Sequence, residues 1–138
     1  MKYHTILLAS IILLTACQEN SELPDVNIPI AVELNNGQKW QANPETTKGI
    51  QNMHVLIKNF TRSNDLTAYH RLQSDLQEEF TSIFQQCTMT GEAHNQLHNY
   101  LIPLNKSIKK LESSNLDTCD LGIRRLEYIL PQYKRFFE

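Results

Sequence analysis

Apolar residues between residue 43 and the end of the chain recur at steps of three and four. This spacing places them along one face of an α-helix. Short polar segments at 63–65, 90–91 and 113–115 divide the region into four such stretches. The stripe positions, in chain order, are Ile50, Met53, Ile57, Phe60; Tyr69, Leu72, Leu76, Phe80, Ile83, Cys87; His94, Leu97, Leu101, Leu104, Ile108, Leu111; and Leu116, Cys119, Ile123, Leu126, Leu130, Tyr133, Phe137. Because short loops join antiparallel neighbours, the sequence predicts an all-α fold, an up-down-up-down four-helix bundle over residues 43–138.

Local signals agree with these four helices. Asn43 can cap the first one, and Pro44 suits its first position. Ser, Asn and Asp residues at 63–65 and 113–115 favour a break followed by a new helix start. Pro103 and Pro131 lie inside the third and fourth helices, where we expect local kinks.

A different periodicity precedes the helices. Ile28, Ile30, Val32 and Leu34 alternate with other residues, which is typical of a strand. Asn36-Gly37 then offers a tight turn. The pattern predicts a short β-hairpin or extended segment over 28–42, packed onto the bundle through Trp40, the only tryptophan.

The N-terminus has the features of a secretory leader. Lys2 is followed by an apolar run over 5–14, which is too short to span a bilayer but suits a signal peptide. Leu14-Thr15-Ala16-Cys17 follows at once and closely resembles the lipobox of bacterial lipoproteins. The resemblance implies a signal peptide at 1–16, a lipidated Cys17 and a polar tether over 17–27.

In that class the cysteine thiol is diacylated and the chain is cut before it. Two or three acyl chains hold a protein on a membrane almost permanently. In this class, Asp directly after the cysteine favours the inner membrane. Gln18 occupies that position here, so the resemblance favours the outer membrane of a cell that has both. We therefore expect a protein anchored in the cell envelope, with the membrane as one partner and another envelope protein as a second.

Charge and motifs exclude several function classes. Without residues 1–16 the chain has 12 basic and 15 acidic residues, and its basic pairs are dispersed among acidic ones. This disfavours nucleic acid as a partner. The sequence has no phosphate-binding glycine loop, no nucleophile elbow and no pair of carboxylates placed for acid–base chemistry, so we do not expect an enzyme.

Side chains that bind metals concentrate in residues 87–98. His94 and His98 are four apart, so their imidazoles can point the same way from one helix. Cys87 and Met89 precede that helix and would add two sulfur ligands. Thiolate, thioether and imidazole together favour copper as Cu(I), and suit zinc less well. The sequence therefore predicts a copper site as buffer, carrier or sensor.

Two residues of the first helix could complete this ligand set. A rise of about 1.5 Å per residue places Met53 and His54 within one turn of the height of His98 in an antiparallel bundle. The same geometry admits a non-covalent haem, with Met53 and His98 as axial ligands. Such a protein would be loosely similar to the cytochrome b-type four-helix bundles, but here the last helix contains no histidine.

A purely structural interpretation stays open beside the metal site. Cysteine and methionine are ordinary core residues, and a histidine in a helix seam often bonds only a carbonyl or a carboxylate, here Glu92. The protein would then be a cofactor-free envelope interaction lipoprotein. The segments 87–103 and 36–40 also resemble small uncharacterised lipoproteins of Bacteroidota-like bacteria, a resemblance that implies no activity.

Cys87 and Cys119 are the cysteines that remain after lipidation. In an oxidising compartment an even pair usually forms a disulfide. The bundle order places Cys87 at the end of the second helix and Cys119 at the start of the fourth, about 30 Å apart at the rise of an α-helix. A disulfide needs Cα atoms within about 7 Å, so we expect two free thiols.

Overall fold

The computed structural model describes residues 26–138 and is all-α over this range, as the sequence predicts. Its helices are α1 (Pro44–Asn59), α2 (Leu66–Gln86), α3 (Gly91–Lys109) and α4 (Leu116–Phe136), with a 3-10 turn, Lys110–Glu112, directly after α3. Within residues 26–138, β pairing is limited to two single bridges. The predicted leader, the lipidation site Cys17 and most of the tether lie outside the described residues.

Side-chain caps start two of the helices in the predicted way. Asp65 accepts a hydrogen bond from the Thr67 amide at 2.9 Å, and Asn115 accepts one from the Thr118 amide at 2.9 Å. These bonds satisfy amides that have no partner inside their helix. The starts of α2 and α4 therefore follow from local chemistry.

Asn43 acts differently from a simple cap. Its side chain makes no bond to a backbone amide of α1. Instead Oδ1 accepts from the Thr46 hydroxyl at 2.7 Å, and Nδ2 donates to the carbonyl of Gln86 at 3.2 Å. This second bond joins the start of α1 to the end of α2.

Each helix packs against two others. α1 contacts α2 and α4, and α3 contacts the same two helices. The seam positions form one continuous core, and those less than 2% exposed include Met53, Leu76, Ile83, Leu97, Leu104, Ile108, Ile123 and Leu126. His94 and Cys87 depart from this pattern, because both are only half-buried.

The segment before α1 is extended and contains one tight turn. Asn36 and Gly37 both have positive φ, 51° and 85°, and two 2.9 Å backbone bonds between Asn35 and Gln38 close the turn. No further pairing extends it within residues 26–42. Backbone groups of Glu33 bond side chains instead: its amide donates to Gln96 Oε1 at 2.8 Å, and its carbonyl accepts from the Trp40 indole at 2.6 Å.

The chain terminus holds this segment on the helices. The Trp40 amide donates to the Phe136 carbonyl at 2.8 Å, and the Glu138 amide donates to the Trp40 carbonyl at 3.0 Å. A third bond runs from the Ala42 amide to Glu138 at 2.9 Å. Trp40 is partly buried against the core, as predicted.

Candidate functional site

The connection between α2 and α3 brings three of the predicted ligands together. α2 ends at Gln86, and Cys87 follows it in an extended conformation. Gly91 has a φ of 63°, a value that glycine adopts without strain and that lets α3 start at once after the reversal. As a result, the first two turns of α3 carry His94 and His98 back past Cys87.

His94 lies in the middle of this group. Its Nδ1 is 3.7 Å from Cys87 Sγ, and its Nε2 is 2.9 Å from Nε2 of His98. The two rings have centroids 4.5 Å apart and an interplanar angle of 68°. Because the two nitrogens of an imidazole point in divergent directions, the three donors lie in a row and do not surround one point.

The hydrogen bond between the imidazoles fixes how protons are shared. One facing nitrogen must donate and the other accept, so at least one of the rings is neutral while the bond exists. If a neutral His94 donates from Nε2, its Nδ1 carries a lone pair directed at Cys87. The arrangement therefore leaves an imidazole nitrogen and a thiol facing each other.

One aromatic side chain, Phe84, contacts the group, and a second, Tyr133, interacts electrostatically with Cys87. Phe84 in α2 makes a T-shaped contact with the His98 ring at a centroid distance of 5.6 Å, and Phe84 itself is 46% exposed. On the core side, the Tyr133 hydroxyl lies 3.0 Å from the Thr47 hydroxyl. Burial raises the pKa of Tyr133, the bond to Thr47 opposes this rise, and the neighbouring Cys87 adds to it. Tyr133 thus stays a neutral phenol beside the thiol.

The remaining predicted ligands lie in different surroundings. Met89 is half-buried and packs against the core in the α2–α3 connection. Met53 is fully buried in the core. His54 is exposed and lines a groove between α1 and α4 together with Leu130 and Lys134. Among residues 26–138, no group of three or more His, Cys, Asp and Glu side chains is arranged to hold a metal ion.

Glu92, expected as a partner of His94, bonds elsewhere. Its carboxylate accepts from Gln96 Nε2 at 2.7 Å and from Asn95 Nδ2 at 3.1 Å, and these bonds lower its pKa. His94 instead bonds Cys87 and His98. The contacts of Phe84 and Thr47 could not be predicted from the sequence, because both depend on how neighbouring helices are rotated.

Cys119 has a purely structural environment. Its thiol is buried and donates to the carbonyls of Leu111 and Ser113, at 3.6 and 3.4 Å. Burial raises its pKa, so the thiol stays protonated. Cys87 and Cys119 are both free, as predicted from the helix order.

Comparisons with known proteins give no relative from which a role could be transferred. No protein-family model matches the sequence, and no curated protein or solved structure is significantly similar to it. Within residues 26–138, none of the helices has the length and apolar character needed to cross a membrane. The side chains around His94 are therefore the basis for a functional proposal.

Proposed function

We propose that this protein is a lipid-anchored envelope protein whose helical domain binds a soft metal ion, with Cu(I) favoured, at Cys87 and His94. The observation that carries the proposal is the 3.7 Å distance between Cys87 Sγ and His94 Nδ1. Zinc, for comparison, lies about 2.3 Å from a thiolate sulfur and about 2.0 Å from an imidazole nitrogen. A sulfur and a nitrogen sharing one ion at tetrahedral to trigonal angles are then roughly 3.5–3.8 Å apart. An ion can replace the thiol proton with little movement of either side chain.

His98 has a positioning role in this proposal. Imidazoles that bind metals usually donate their other N–H to an acceptor, which fixes the tautomer and the ring orientation. The 2.9 Å contact between the two Nε2 atoms supports this role for His98. Met89 follows Cys87 by two residues but packs against the core, so the proposed ligand set is one thiolate and one imidazole, both of which suit Cu(I).

The up-down-up-down bundle is the arrangement that we propose for the helices. Contacts between helix ends support it: the start of α1 bonds the end of α2 through Asn43 and Gln86, and Thr47 of α1 meets Tyr133 near the end of α4. At the other end, His70 near the start of α2 bonds the Ser113 carbonyl after α3, at 3.2 Å. In this arrangement the candidate site lies at one end of the bundle.

In this proposal the lipid anchor holds the domain at the membrane surface. Residues 14–17 resemble a lipobox, and the polar residues that follow can act as a flexible tether. A domain held in this way stays at the membrane surface and can exchange metal with envelope partners. Buffer, carrier and sensor roles all use the same site.

A second candidate is a cofactor-free interaction lipoprotein. Phe84, which contacts His98, is 46% exposed, and Ile102, one helical turn beyond His98, is 52% exposed. Exposed apolar residues of this kind are common where proteins dock. The hydrogen-bonded imidazole pair would then only stabilise the start of α3.

Competition against a Cu(I) chelator tests the metal site, using the Cys17→Ser chain without its leader so that no lipid is attached. We expect Cys87→Ser and His94→Ala to weaken Cu(I) binding more strongly than His98→Ala. The His98 change removes only an outer hydrogen-bond partner, for which about 10–100-fold is typical. Cys119→Ser is the matched control and should leave the affinity unchanged. Equal affinities of Cys87→Ser and its parent would refute the site and favour the interaction protein.

A further inference from the structure

The face formed by the end of α2 and the start of α3 is unusually poor in charge. Between residues 80 and 105 the only Asp, Glu, Lys or Arg is Glu92, although these residues make up 20% of the chain. Glu92 itself is engaged by Gln96 and Asn95. Depletion of charge is the compositional signal of a protein–protein interface, especially near its centre.

Apolar side chains on this face continue directly from the candidate site. His94, His98 and Ile102 follow one another at steps of four, so they form a line along one side of α3. Ile102 is 52% exposed, and Phe84 of α2, which is 46% exposed, contacts His98. The metal-binding group and the exposed apolar residues therefore belong to one continuous surface.

We infer that this surface binds a second copy of the same chain, and that the two copies share one metal ion. The inference rests on the proposed function of Cys87 and His94. These residues supply one thiolate and one imidazole, whereas a soft ion accepts up to four donors. A twofold axis through the ion would bring two such pairs together, because an isologous interface places the same patch of both subunits face to face.

The size of the face indicates that the contact depends on metal. Residues 93–105 of α3 extend over about 20 Å, and two helices side by side are about 20 Å wide. The patch is then roughly 400 Å² per copy, or about 800 Å² in total, below the ~1,200 Å² of a stable interface. A twofold axis brings like charges of the two copies close to each other, which is unfavourable. This face has few charged residues, so that repulsion is small. The ion is thus the element that would hold the dimer together.

Sedimentation velocity of the Cys17→Ser chain, under reducing and oxygen-free conditions, tests this inference. We expect a monomer without metal and a dimer with half an equivalent of Cu(I) per chain. Phe84→Glu places a buried carboxylate of each copy in the apolar contact and should keep the protein monomeric with Cu(I) present. Val55→Glu, at a 56% exposed position on α1, is the matched control and should still dimerise.

The outcomes separate this inference from the proposed function. A chain that binds Cu(I) tightly through Cys87 but stays monomeric would overturn the shared site and leave the proposed function intact. Dimerisation of Phe84→Glu equal to that of the parent would overturn the assignment of the face. Failure of the parent to bind Cu(I) in the chelator competition would overturn both.

Discussion

Replacing Cys17 by Ser is expected to move the protein almost completely from the membrane fraction to the soluble fraction of the cell. Each buried CH₂ of an acyl chain contributes about 0.8 kcal/mol to membrane binding, so two or three chains hold a protein nearly irreversibly. Serine cannot form the thioether that carries the diacylglycerol.

Fractionation of cells expressing the parent and the variant, with labelling by a fatty acid, measures this effect. Cys87→Ser is the control for loss of a cysteine and should remain lipidated and membrane-bound. A Cys17→Ser protein that still sediments with membranes would contradict the anchor. Incorporation of label into that variant would place the lipid on another residue.

Replacing Tyr100 by Ala is expected to destabilise the domain by about 3–5 kcal/mol, the range measured for large aromatic residues in cores. The Tyr100 side chain is fully buried. Its ring makes edge contacts with Tyr133 and Phe137 at centroid distances of 5.5 and 6.1 Å, and its hydroxyl donates to the Ile129 carbonyl at 3.1 Å. Since domains of this size are stable by about 5–15 kcal/mol, much of the margin would be lost.

Tyr100→Phe separates packing from hydrogen bonding. It keeps the ring and removes one hydrogen bond, for which a loss of about 1 kcal/mol is expected. Urea unfolding followed by circular dichroism gives the free energy of unfolding of both variants. If the free energy of unfolding of Tyr100→Ala were within about 1 kcal/mol of that of the parent, the cluster of Tyr100, Tyr133 and Phe137 would not be the packing centre of this end of the domain.

The helices could be predicted from the sequence because their signals are local. Asp65 and Asn115 cap helices through bonds to residues two and three positions away, and the apolar stripes depend only on the helical repeat. The role of Asn43 could not be predicted in the same way. Its bond to the Gln86 carbonyl joins two helices and depends on how they pack.

In the extended segment, too, contacts between residues far apart in the sequence could not be predicted. Alternation over 28–34 is typical of a strand, but a strand also needs a partner with free backbone groups. Gln96 and Trp40 bond the backbone of Glu33, and the terminal residues 136–138 pair with residues 40–42. None of these long-range partners can be deduced from periodicity.

The order of the helices explains which of the candidate ligands could be predicted to lie close together. Cys87 and His94 are separated by one short connection, so the order of helices is sufficient to bring them together. The rise per residue gives the height of Met53 and His54 along α1. It does not give the direction of their side chains, which changes by about 100° around the helix axis from one residue to the next. That rotation directs Met53 into the core and leaves His54 on the groove between α1 and α4.

X-ray absorption spectroscopy of the Cu(I)-loaded protein tests the central claim most directly, because it identifies the atoms bound to the metal. We expect a sulfur shell and a nitrogen shell around copper, close to the distances of about 2.3 Å and about 2.0 Å found for zinc, and loss of the sulfur shell in Cys87→Ser. A spectrum with nitrogen and oxygen alone, or a sulfur shell that is unchanged in Cys87→Ser, would contradict the assignment of Cys87 and His94 as the metal ligands.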